Sequence, residues 1–167
     1  MQQGVRSRMN GVDVRELIDA LRRGDDNVRL HAAAALGQHR DQESVELLIK
    51  ALSDESSDVR CYVIDALGEI GDLRAIEPLL RVITTSGDGS FAAEAIIDAL
   101  LRIGEPAVGP LISILESGPS DLQPYAADLL GILGYKRAGA TLTTAAKNGD
   151  PAVRKAAVYA LSRMSTS

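Results

Sequence analysis

Aromatic side chains are scarce in this chain. They make up 3% of 167 residues, with one Phe, four Tyr and no Trp. A core without large rings has to be assembled from closely packed helices, and Ala and Leu dominate the apolar 46%. Cysteine is scarcer still. Cys61 stands alone, which excludes an internal disulfide and points to a reducing compartment. A lone thiol without an adjacent base is most often inert. His31 and His39 are the only histidines. Eight positions apart, they fit neither an i, i+4 pair nor an HExxH metal site. Positive charge is in the minority, with 18 Lys and Arg against 23 Asp and Glu and a net charge of −5. Proteins that live on phosphate contacts are more often basic, so nucleic acid is disfavoured as a partner. No apolar run is long enough to span a bilayer. The opening MQQGVRSRMNG lacks the apolar run of a secretory signal. A cytoplasmic protein without membrane contact is expected.

The motifs of common enzyme classes are missing as well. There is no P-loop, GxSxG or GxGxxG. His39-Arg40-Asp41 copies the letters of a kinase catalytic loop, but no glycine-rich loop, partner Lys or DFG accompanies it. No catalytic residue, metal ligand or cofactor is assigned.

What the chain has is internal repetition. ALGEIG at 66–71 lines up with ALGQHR at 35–40, ALLRIG at 99–104, LLGILG at 129–134 and ALSRMS at 160–165, at intervals of 31, 33, 30 and 31 residues. Upstream of each block lies a second landmark, Val-Arg at 28–29, 59–60 and 153–154, replaced by Ala92-Ala93 and Leu122-Gln123 in the third and fourth copies. Further upstream runs an apolar stripe: ELIDAL, ELLIKAL, EPLLRVI, GPLISIL, ATLTTAA. A period near 31 residues, with two helical patterns per period, is the mark of a stacked repeat array. The units are placed at about 12–41, 42–72, 73–105, 106–135 and 136–165, in one domain over 12–165. Residues 1–11 are expected to form a flexible tail.

Glycine punctuates the blocks twice. The final Gly71, Gly104 and Gly134 sit just past the last core residue, where a left-handed helix cap belongs. The inner Gly37, Gly68 and Gly131 cost about 1 kcal/mol each against Ala in a helix interior. The return expected for that cost is close approach of a neighbouring helix. Pro151 after Asp150 reads as a helix start, and Pro78 and Pro110 belong in the first turns of their helices.

These residues resemble HEAT repeats of the short kind named after the phycobilisome lyase subunits. DVRCYVIDALGEIGDLRAIEPLL in the second unit matches that pattern almost throughout, and the resemblance covers roughly 13–164. It implies an all-α fold: a right-handed α-solenoid of about five stacked helix pairs, an armadillo-like superhelix. First helices would form the convex layer and second helices the concave one. Units three and four lack the Arg, units one and five lack the terminal Gly, and end units of such arrays are often atypical.

On the second helix of unit two, Val59, Val63, Ala66, Leu67 and Ile70 share one stripe and form the expected core. Cys61, Tyr62, Asp65 and Glu69 fall opposite. Carrying these offsets through the units assembles a concave face of His31, Tyr62, Asp65, Glu69, Glu94, Asp98, Tyr125, Asp128 and Tyr159. Tyr offers contact area and a polar tip at low entropy cost. The competing reading is an ordinary solvated face, with Asp98 and Arg102 paired along one helix. The Arg29, Arg60 and Arg154 column is read as structural, tying acids or carbonyls of nearby loops. The loop 84–90 is read as a surface turn, with Phe91 as a core plug.

The leading expectation is therefore a non-catalytic scaffold or adaptor that takes a protein segment, a basic helix or peptide, on its concave face. A homodimer through a terminal repeat is a further expectation. The resemblance implies one alternative, a subunit or relative of a phycobilin lyase acting on a phycobiliprotein. HEAT-like nucleic-acid binding ranks below both, because it needs a basic concavity.

Overall fold

The structure is a computed structural model that describes residues 8–9, 12–85 and 91–165. Among them the chain forms ten α-helices: α1 Val14–Arg23, α2 Asp26–Gln38, α3 Val45–Ala51, α4 Ser57–Ile70, α5 Ile76–Thr85, α6 Phe91–Ile103, α7 Val108–Ser117, α8 Gln123–Leu133, α9 Gly139–Asn148 and α10 Pro151–Met164. They pair as α1/α2, α3/α4, α5/α6, α7/α8 and α9/α10, one pair per unit. Arg8–Met9, within the 1–11 stretch expected to be a flexible tail, pairs antiparallel with Val12–Asp13 at the start of the domain. The middle of the 84–90 loop and the Phe91 side chain lie outside the described residues.

Helix starts follow the acids. Asp25 accepts a hydrogen bond from the Val28 amide at 2.9 Å, and Asp150 accepts from Ala152 and Val153, each at 2.9 Å. Pro151 follows Asp150 as the first helical residue. Pro78 and Pro110 sit in the first turns of α5 and α7. Helix ends follow the glycines. Gly71 and Gly134, at φ 73° and 69°, take the expected left-handed cap, while Gly104 shares the positive φ of 70° but turns to ψ −140°, a different conformation that also favours glycine. In unit one Arg40 occupies the same repeat position and takes φ 50° without being glycine, a strained choice for a side chain with a Cβ.

Each unit passes to the next through a single 3-10 turn: Gln42–Ser44, Leu73–Ala75, Glu105–Ala107 and Lys136–Ala138. The last residue of every turn, Ser44, Ala75, Ala107 or Ala138, is fully buried. Only a small side chain fits there. The core is one continuous cluster from Leu21 to Ala160, and Val59, Val63, Ala66, Leu67 and Ile70 are all in it. Stacking is what buries them, because no helix pair can cover its own stripe.

The inner glycines explain the curvature. A Cβ added to Gly37 would lie 2.7 Å from Ala66 Cα, one on Gly68 2.7 Å from Ala99 Cα, and one on Gly131 2.5 Å from Ala160 Cα. At these three joints, α2/α4, α4/α6 and α8/α10, the second helices cross almost backbone to backbone. The first helices touch one another far less. A stack drawn tighter on one side bends toward it, so the second helices line the concave face. The third-to-fourth joint differs. Leu101 stands where the glycine should be and Leu129 where the alanine should be, and α6 and α8 make no comparable crossing.

Gly131→Ala is expected to destabilise the chain by about 1–3 kcal/mol, since the added methyl must push a backbone away. Gly139→Ala, with nothing within 4 Å of the added Cβ, is expected to be neutral or stabilising by up to about 1 kcal/mol. Urea unfolding of both variants checks this. Equal effects would contradict the close crossing.

Candidate functional site

The concave face is built by the exposed side of α2, α4, α6, α8 and α10. On α4, Tyr62 and Asp65 are exposed, while Cys61 and Glu69 are half-buried. Tyr62 and Tyr125, at matching positions of α4 and α8, are 44% and 36% exposed, large values for rings that the rest of the fold would bury if it needed them as core. His31, the matching residue of α2, is exposed at the first-unit end. Its Nδ1 lies 2.6 Å from the Asn27 carbonyl oxygen. A carbonyl only accepts, so Nδ1 carries the hydrogen and Nε2 is turned outward. His31 also borders an apolar recess lined by Leu17, Ala20, Val28, Ala32 and Ala35, where a preceding unit would pack. Tyr159 is 58% exposed at the other end, with the Arg163 guanidinium 5.9 Å from its ring centre. Glu94 and Asp98 are exposed one turn apart on α6, and Asp128 is half-buried on α8.

The carboxylates are not equivalent. Arg102 on α6 donates a hydrogen bond back across the joint to Asp65 on α4 and lies 3.8 Å from Glu69. Asp98 on the same helix, the partner considered from sequence, still adds to the field that favours the Arg102 cation, but the hydrogen bond goes to the preceding unit. Arg163 on α10 stands in the same relation to Asp128 on α8. Burial pushes the Asp128 carboxyl above its ordinary pKa, and the nearby Arg163 only partly offsets this. An acid at one offset on unit n thus meets an Arg at a second offset on unit n+1. At the joint between units three and four the acid is Asp98, but the second offset holds Ile132. Sequence offsets contained Arg102, Ile132 and Arg163 in one column; what they lacked was the knowledge that the column faces the acids of the previous unit.

The Arg column is structural, as expected, and ties mainly loop carbonyls. Asp25 and Asp150 are helix caps. Arg29 donates to the Gly24 carbonyl at 3.1 Å, Arg60 to the Glu55 carbonyl at 3.1 Å and Arg154 to the Gly149 carbonyl at 2.8 Å, each five residues back. Gln123 in unit four makes the same bond to Gly118 at 3.1 Å, so the missing Arg is replaced in function. Arg29 also forks onto Asp54 of unit two, at 2.9 and 2.8 Å. Burial alone would raise the Asp54 carboxyl. The hydrogen bonds from Arg29 and the Ser56 amide outweigh it and hold the carboxyl below its ordinary range. Along the 3-10 turns Arg74 donates to the Gln42 carbonyl at 3.3 Å and Arg137 to the Glu105 carbonyl at 2.9 Å, each thirty-two residues back, tying one turn to another.

Burial, with Asp58 nearby, holds the Cys61 thiol above its ordinary pKa despite Arg60, which disfavours the reactive thiolate. Among the described residues no group of three or more His, Cys, Asp or Glu is arranged to hold a metal ion. Among the described residues no helix is long and apolar enough to cross a membrane.

Stacked helix pairs, glycine-capped ends and a curved inner layer define a helical-repeat protein of the α-solenoid class. A family model described as HEAT repeats matches residues 14–101 and 108–167, and the chain belongs to that family. The gap between the two matches falls at the joint where the glycine crossing is lost. No curated protein matches the chain. Among solved structures, the crystal structure of an engineered protein from the Northeast Structural Genomics Consortium is similar at 22% identity and a TM-score of 0.50, over 92% of this chain and 79% of that one. Human deoxyhypusine hydroxylase, solved in complex with glycerol, is similar at 17% identity and a TM-score of 0.38, over 92% of this chain and 85% of that one. The first likeness is one of fold alone.

The depressed Asp54 carboxyl contributes stability that is present above its unfolded pKa near 3.8 and is lost as pH falls through the folded value. Asp54→Asn is expected to lower the melting temperature at pH 7 and to flatten the acid limb of the stability profile. Thermal melts between pH 2 and pH 7 measure both, and an acid limb as steep as wild type would contradict the role given to Asp54.

Proposed function

We infer that this protein is a non-catalytic interaction scaffold that receives a segment of a protein partner along its concave face. The observation that carries this reading is the pair of exposed tyrosines, Tyr62 and Tyr125, held at matching repeat positions beside a row of carboxylates. Rigid helices fix the spacing of these groups, so the face is preorganised and a partner loses little of its binding energy to ordering it. Rings with a hydroxyl tip suit a surface that is wet when free and apolar when covered. The excess of acid favours a partner rich in Lys or Arg. A row of parallel, exposed helix faces suits an extended peptide or a single helix.

Pairing of two copies through a terminal repeat has its own support. Val158 and Tyr159 are 57% and 58% exposed on α10, and Val28 is 43% exposed on α2. Ile64 and Ala33, at the repeat position of Val158, are buried. Both ends therefore present side chains of the kind that internal units cover. Such an end-to-end contact is compatible with a peptide on the concave face.

Tyr62→Ala combined with Asp65→Asn should leave the chain folded, because an exposed ion pair contributes only about 0.2–1 kcal/mol, and should weaken partner capture. The test is capture from extract of the source cells on immobilised wild type and double variant, read by mass spectrometry, with circular dichroism as the folding control. A protein retained by wild type and lost by the variant is the expected result. Identical capture by both would remove the partner site from this face.

A further inference from the structure

The joint between units three and four departs from the repeat in three places at once, and all three lie on the inner layer. Leu101 replaces the glycine of the close crossing, Leu129 replaces the alanine it would meet, and Ile132 replaces the Arg that would neutralise the acid of the previous unit. The consequences are visible. Leu101 is 45% exposed although it occupies the position at which Gly37, Gly68 and Gly131 are buried. Asp98, three residues earlier on the same helix, has Ile132 and not an Arg at the matching position of the next unit; its own neighbour Arg102 gives its hydrogen bond to Asp65 and reaches Asp98 only through space. Glu94 lies one turn before Asp98 on the same exposed strip, and Tyr125 is exposed across the joint on α8.

An exposed leucine beside a carboxylate without a cross-joint cation has a definite complement. It is a side chain with an aliphatic stem and a cationic head, because the stem covers Leu101 while the head meets Asp98 and Glu94. At the flanking joints the chain supplies that cation itself, from Arg102 and Arg163. We propose that the third-to-fourth joint is the anchor point of the concave face, and that it takes a Lys or Arg of the partner segment, flanked by an aliphatic residue, between Leu101, Asp98 and Tyr125. This rests on the concave-face reading above and names the place on that face where recognition is concentrated.

The probe is a displayed library of random linear peptides selected on the whole wild-type chain, followed by synthesis of the enriched sequence and titration by fluorescence anisotropy. Four proteins are compared: wild type, Asp98→Asn, Ile132→Arg and the Tyr62→Ala/Asp65→Asn variant, with circular dichroism confirming that each is folded. Ile132→Arg restores the internal cation that the repeat supplies elsewhere, so it should occupy Asp98 and exclude the peptide without removing any contacting group. Enriched peptides carrying Lys or Arg next to an aliphatic residue, bound about fivefold to tenfold more weakly by both Asp98→Asn and Ile132→Arg, are the expected result. Peptides that lose affinity only in the Tyr62/Asp65 variant would overturn the anchor while leaving the concave face as the binding surface. Peptides unaffected by every one of these variants, or a selection with no cationic preference, would overturn both.

Discussion

Everything in this fold depends on how closely two successive second helices approach. A glycine on one and an alanine on the next let their backbones nearly touch, at Gly37 and Ala66, Gly68 and Ala99, and Gly131 and Ala160. Each glycine is a local liability in a helix interior. Its compensation is not local. Tight contact on the inner side bends the stack, and the bend turns a row of unrelated helix faces into one concave surface. The same contact sets the distance across which Arg102 reaches Asp65. Polar pairing on the inner face is thus a consequence of the apolar packing beneath it.

The turns between units are held by different means. The chain ties one turn to another through guanidinium groups that reach backbone carbonyls, Arg74 to Gln42 and Arg137 to Glu105. Within units, Arg29, Arg60, Gln123 and Arg154 close the turn between paired helices in the same manner. These bonds satisfy carbonyls that would otherwise be left at helix ends and turns. At the third-to-fourth joint both features change: the glycine crossing is lost, and Pro106 stands in the turn where Arg74 and Arg137 stand in theirs.

Much of the architecture was legible before any coordinates. The period, the core stripe of α4 and the left-handed caps at Gly71 and Gly134 follow from local rules about positive φ and helical spacing, whereas Gly104 keeps the positive φ but not the helical ψ. The reason for the inner glycines also followed, because a costly residue recurring at a fixed place needs a tertiary cause. Contacts between units were less legible. Arg29 on Asp54 and Arg102 on Asp65 join residues 25 and 37 apart, and helical spacing within one unit carries no information about which face of the next unit lies opposite. Arg40 was hidden for another reason. The backbone of unit one keeps the left-handed turn of its neighbours even where the side chain disfavours it, so tertiary packing overrides local preference. Of the residues named for the concave face, Glu69 and Asp128 are half-buried and the others exposed; their use in binding is a matter of chemistry that spacing alone cannot rank.

The central claim is that glycine–alanine crossings couple the units and that the coupling lapses between units three and four. Native-state hydrogen exchange of the whole chain tests it most directly, because opening free energies group amides into cooperative units. The account predicts that amides of α2, α4 and α6 share one denaturant-dependent opening and those of α8 and α10 another, with the boundary between Ile103 and Leu122. A single shared opening across α6 and α8, or a boundary at one of the glycine crossings, would contradict it.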